Sequence, residues 1–120
     1  MSHVVSIKTH VKDVVAIAAA CHRLGLAAPV QGTAKLFSGT ATGVLVQLPG
    51  WNYPAVIDVA SGDVRFDDFE GRWGDRVHMD RFLQIYAVER TKIEARKKGH
   101  AVTETLLQDG SVKPVIGAGG

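Results

Sequence analysis

Cys21 and His22 stand side by side, the two partners a thiol–imidazole nucleophile would need. Neighbours on a helix point about 100° apart, however, and do not face one another. Val14, Ile17, Ala18, Cys21 and Leu24 fall at helical spacing on one apolar stripe, so Cys21 reads as a small buried hydrophobe that is chemically inert. His3, His10, His22, His78 and His100 are dispersed, with no HxH, HxxxH or HExxH pair, so no metal site is expected. The single cysteine excludes a disulfide within the chain and any cysteine-pair zinc site. The glycines between Gly32 and Gly43 resemble a phosphate loop only in composition. No Gly-Lys-Ser/Thr follows them, and a hairpin explains them better. No Gly-x-Ser-x-Gly elbow is present. These residues imply no catalytic group, no metal and no cofactor.

The densest constellation is Phe66-Asp67-Asp68-Phe69-Glu70-Gly71-Arg72-Trp73-Gly74-Asp75, which sets carboxylates, a guanidinium and large aromatics between a strand and a helix start. Three uses fit these residue types. The carboxylates could hold a cation, Arg72 and Trp73 could anchor a partner as interface hot spots do, or the segment could be structural. In the structural case Asp75 caps the helix, Arg72 pairs with Asp67 or Asp68, and Trp73 covers the core edge. Trp51-Asn52-Tyr53-Pro54 is a second aromatic loop open to the same readings, with Trp51 and Tyr53 as its candidate partner-binding residues. A separate candidate surface is cationic: Arg90, Lys92, Arg96, Lys97 and Lys98 could contact nucleic acid. Equally, the basic run Arg96-Lys97-Lys98 suits the negative end of a helix dipole.

The elements that must position these groups follow from periodicity. Val5, Ile7, Thr9 and Val11 alternate with Val4, Ser6, Lys8 and His10, the pattern of a half-buried strand. Asp13 then has the chemistry of an N-cap, and Gly25 that of a left-handed stop. Thr33–Phe37, Val44–Leu48, Pro54–Ala60 and Asp63–Phe69 read as short strands parted by Ser38-Gly39, Pro49-Gly50 and Ser61-Gly62. A long helix is predicted from Asp75 to Gly99, its core side marked by Met79, Phe82, Leu83, Tyr86, Arg90 and Ile93. Its last two turns are mostly charged and are expected to project past the sheet. Ala101–Leu107 and Ser111–Ile116 close a hairpin over Asp109-Gly110, and Pro114 marks the last strand as an edge. The predicted architecture is a single α+β domain over 1–120 with a loose tail at 116–120. It has a mostly antiparallel sheet, two helices on one face, and the order β-α-β-β-β-β-α-β-β. The first strand is expected beside the C-terminal hairpin.

Composition agrees with one ordinary globular domain: 120 residues, 46% hydrophobic and 22% charged, with a net charge of +2. The charge is unevenly placed, +3 over residues 1–57, −4 over 58–75 and +3 over 76–120. The longest uncharged apolar run, Val14 to Cys21, is far too short to span a membrane, and no secretory leader is recognisable. A soluble, cytoplasmic domain is expected.

Several segments carry a family resemblance: Met1-Ser2-His3, Ile7-Lys8-Thr9, Gly50-Trp51-Asn52-Tyr53-Pro54, Gly71-Arg72-Trp73-Gly74-Asp75, Phe82-Leu83-Gln84 and Tyr86-Ala87-Val88-Glu89. Lys92-Ile93-Glu94-Ala95-Arg96-Lys97-Lys98-Gly99 and Asp109-Gly110-Ser111 complete it. Together they resemble the hypothetical chloroplast reading frame thirty-five family of cyanobacteria, other bacteria and algal plastids. The resemblance covers nearly the whole chain and is most specific from Gly71 to Gly99. It implies a small, soluble, stand-alone protein, and it links the family loosely to an AAA-type ATPase encoded in similar genomes. It supplies no activity, catalytic residue or cofactor.

The leading expectation is therefore a non-enzymatic protein-binding or assembly module, using Trp51, Tyr53, Arg72 and Trp73. The alternatives are a nucleic-acid-binding protein using the basic end of the second helix, and a small-ligand or metal-dependent enzyme using the 67–75 loop.

Overall fold

The computed structural model describes residues 4–37, 39–67, 72, 74–107 and 111–117. The chain runs β1 (Val4–Ile7), α1 (Val14–Arg23), β2 (Val30–Leu36), β3 (Gly39–Val46), β4 (Ala55–Asp58), β5 (Asp63–Asp67), α2 (Arg76–Lys97), β6 (Ala101–Leu106) and β7 (Val112–Gly117). This is the α+β order predicted from the sequence. No helix among the described residues is long and apolar enough to cross a membrane.

Five strands form one antiparallel sheet in the order β1-β5-β4-β3-β2, and β6 and β7 form a separate two-stranded sheet. The expected place of the first strand beside the C-terminal hairpin is thus corrected: β1 pairs with β5. The register gives the reason. Val5 lies opposite Phe66 and Ile7 opposite Val64, so the apolar residues of the two strands share a face. The loop after β1 is held to the β4–β5 turn as well. The Thr9 hydroxyl and the Val11 N–H both donate to the carbonyl of Gly62.

Both helices lie against that face. Ile17, Ala20 and Cys21 of α1 and Met79, Phe82, Ile85 and Tyr86 of α2 join Val44, Val46, Ala55, Ile57, Val64 and Phe66 in one buried core. The alanines of α1 let it approach closely, and Asp13 caps it by accepting bonds from the N–H groups of Val15 and Ala16 at 2.9 and 3.3 Å. Tyr86 fixes where α1 begins. Its phenol oxygen accepts the N–H groups of Lys12 and Asp13, each at 3.1 Å. The opposite face of the sheet carries a smaller cluster of Ala34, Leu36, Ala41 and Val56, with Val4, Leu45 and Tyr53 packed on it.

The C-terminal half of α2 keeps Thr91 to Glu94 half-buried and Ala95 buried, and leaves Arg96 and Lys97 exposed. It carries the β6–β7 hairpin. Arg23 of α1 bonds Glu104 of β6 through both guanidinium nitrogens at 2.6 Å. Lys92 bridges Glu104 at 3.1 Å and Glu89 at 3.2 Å, so one ionic cluster ties both helices to the hairpin. Gln84 adds a bond from its amide to the carbonyl of Val112. Because the hairpin pairs only with itself, the β7 strand bearing Pro114 is an edge, as expected. Ile116, at the end of the predicted strand, pairs with Val102, and Gly117, expected in the tail, pairs with Ala101; residues 118–120 lie outside the described residues.

Candidate functional site

Between β3 and β4 the Trp51-Asn52-Tyr53-Pro54 loop turns back over the start of α2. Trp51 is only 5% exposed. Its ring meets Phe66 edge-on, with centroids 5.6 Å apart and planes at 65°, and its indole N–H donates to the carbonyl of Asp75 at 3.0 Å. The Gln47 amide bonds the Trp51 carbonyl at 2.7 Å. Trp51, expected as a partner-binding residue, is therefore packed in the core with little of its surface exposed. The aromatic surface it offers is already used by Phe66 and by the backbone at Gly74. Tyr53 is half-buried against the second cluster of the sheet.

Across from Trp51, the guanidinium of Arg76 stands 4.4 Å from the centroid of the Phe66 ring, a cation–π contact that the sequence did not signal. Asp75 caps α2 as predicted, accepting the Val77 N–H at 3.0 Å. Asp67 ends β5 fully buried, and among the described residues neither oxygen of its carboxyl group has a hydrogen-bond partner. No hydrogen bond joins Arg72 to Asp67 among the described residues, and Arg72 itself is exposed. Trp73, Phe69, Asp68 and Glu70, and with them the alternative pairing of Arg72 to Asp68, lie outside the described residues.

The cationic candidates on α2 are mostly answered by neighbouring acids. Arg90 lies 3.7 Å from Asp13 and 3.6 Å from Glu94, Lys92 bridges Glu89 and Glu104, and Lys97 lies 3.8 Å from Glu94. Arg96 and Lys98 are exposed. Pairing inside the fold lowers the field these cations project, which counts against a phosphate-binding face. A cleft of about 420 Å³ opens beside them, lined by Arg90, Thr91, Glu94, Lys98, His100 and Ile116. A smaller one of about 190 Å³ lies between Leu26, Leu48, His78 and Arg81. Cys21 is fully buried and its desolvation pushes the thiol pKa up, away from the reactive thiolate, while His22 is exposed. Among the described residues no three His, Cys, Asp or Glu side chains are grouped to hold a metal.

The surface feature that sequence reasoning missed is β2. It is an edge strand with β3 as its one strand neighbour among the described residues. Val30, at its start, and Phe37, just past its end, are each 61% exposed. Between them Gln31, Thr33 and Lys35 are exposed on one face, while Ala34 and Leu36 are buried on the other. The signal was the alternation itself, which Gly32 interrupts and which therefore read as starting only at Thr33. No protein-family model, curated protein or solved structure matches this chain.

Proposed function

We propose that the protein is a non-enzymatic binding module that takes up another polypeptide along the edge of β2. The observation that carries this reading is the pairing of an open strand edge with large exposed apolar side chains, Val30 and Phe37, at its two ends. Strand addition draws affinity from main-chain hydrogen bonds and specificity from alternating side chains. An open apolar edge is a liability that a protein lacking such a use would cover or charge more heavily than with Lys35 alone. The ion pairs of α2 favour this reading over the nucleic-acid one. The resemblance of the sequence, and nothing else, suggests an AAA-type ATPase as one partner to try.

The test is crosslinked capture from native lysate with the wild-type chain and with a Val30→Lys, Phe37→Lys double variant. Both side chains are largely in solvent, so the variant should keep the wild-type melting temperature while losing a partner that the wild type retains. Recovery of the same partners by both proteins would overturn the reading.

A further inference from the structure

Even-numbered and odd-numbered residues of β2 differ in character. Val30, Gly32, Ala34 and Leu36 point to the helix-free face; Gln31, Thr33 and Lys35 point to the other. Residues directly opposite in an antiparallel pair lie on the same face of the sheet. An antiparallel pairing of this strand with its own copy, centred on Thr33, sets Val30 against Leu36, Gly32 against Ala34, Gln31 against Lys35 and Thr33 against Thr33. Every apolar residue then meets an apolar one and every polar residue a polar one.

We propose that β2 pairs in this way with β2 of a second copy of the chain, joining the two five-stranded sheets into one of ten strands. The proposal rests on the reading of β2 as a docking edge and names its occupant. Three observations favour a second copy over an unrelated strand. The register about Thr33 uses the full seven residues of β2, whereas moving the centre to Gly32 or Ala34 leaves five in register. The single charge, Lys35, faces the amide of Gln31, whereas centring the pair on Lys35 would oppose two ammonium groups. Finally, the hydroxyls of Thr33 and Thr42 already bond across β2 and β3 at 2.7 Å, and a second Thr33 extends that ladder over the axis.

Nothing described obstructs the approach. The two-fold axis is normal to the sheet, so the helices of both copies fall on the same side. The exposure of Gln31, Thr33, Lys35 and Thr42 shows that they do not overhang the seam. An edge of seven mostly small residues gives less than the roughly 1,200–2,000 Å² of a standard stable interface, so association is expected to be weak and concentration-dependent.

Sedimentation of the full chain over a concentration series, together with single cysteines on the strand, tests the proposal. The native Cys21 is buried and does not compete. The expected result is a reversible monomer–dimer equilibrium, with Thr33→Cys forming an intermolecular disulfide faster than Thr42→Cys on the neighbouring strand. Gln31→Cys and Lys35→Cys should crosslink readily with each other when mixed and poorly when alone. Thr33→Lys, which sets like charges on the axis, should raise the dissociation constant about tenfold or more. A monomer at every concentration, with no preference for position 33, would overturn self-pairing. Were the Val30 and Phe37 variant then still to lose a foreign partner, the binding-module reading would survive. A dimer whose capture of partners does not depend on β2 supports self-pairing and removes the wider reading.

Discussion

Gly74 lies against the face of the Trp51 indole so closely that a methyl group built on its α-carbon would stand 2.4 Å from Cδ2 and 2.6 Å from Cγ. The contact is between backbone and a ring that is itself wedged on Phe66 and hydrogen-bonded to Asp75. The ring has no free direction in which to retreat. Gly74→Ala should therefore lower stability by about 2–3 kcal/mol, the range of an overpacked core. Urea unfolding beside wild type measures it, and an unchanged midpoint would show that the indole is loosely held.

Asp67 poses the opposite problem, a polar group that is buried too well. Among the described residues both of its carboxyl oxygens lack a hydrogen-bond partner, and an unsatisfied buried polar group costs about 1–3 kcal/mol. Asp67→Val removes those atoms, nearly keeps the volume and suits a strand. The variant is expected to gain about 1–2 kcal/mol in the same unfolding assay. A loss of stability would mean that the carboxyl group finds a partner in solution, and would turn attention to what that partner is.

These two residues also mark where the sequence could and could not be read. Helix α1 was legible because its signals are local: a capping aspartate, an apolar stripe and a stop at Gly25 lie within a dozen residues. The order of elements was legible for the same reason. The burial of Trp51 was not, since it depends on a glycine in a distant segment that gives up its side chain to make room. The partner of β1 was likewise hidden, because four alternating residues fit any apolar strand and only the assembled register chooses β5. On α2, Lys92 and Arg90 looked like a free basic face because two of the acids answering them, Glu104 and Asp13, come from other elements, while Glu89 and Glu94 lie one turn away on the same helix.

Gly62 and Gly99 separate backbone strain from steric clash. Both adopt left-handed φ, +83° and +75°. A methyl group at Gly99 would meet nothing within 4 Å, whereas one at Gly62 would stand 2.6 Å from the carbonyl oxygen of Thr9. Gly99→Ala should thus cost only the conformational part, about 1 kcal/mol. Gly62→Ala should cost more, about 2–4 kcal/mol, because the β1–α1 connection must also move. Thermal melts of the two variants should fall in that order, and equal losses would show that the loop yields freely.

The ionic cluster at Glu104 makes a prediction that depends on pH. Its carboxylate accepts two bonds from Arg23 and lies beside Lys92, and these interactions lower its pKa from an ordinary 4.5 to about 2. A pKa lower in the folded than in the unfolded chain adds stability that is complete above the unfolded value. That stability is lost as the pH falls from about 4.5 through 2. Because the cluster is partly in water, where screening weakens such pairs, the contribution at neutral pH is about 1 kcal/mol rather than what the shift alone would convert to. Glu104→Gln keeps the shape and removes the charge. It should lower the urea midpoint at pH 7, do so less in high salt, and match wild type near pH 2. The loss should appear first in the hairpin, since Glu104 is its ionic link to both helices: hydrogen exchange should quicken in β6 and β7 while β3, β4 and β5 keep wild-type protection. Uniform weakening of every strand would instead mean that the hairpin and the five-stranded sheet unfold as one cooperative unit.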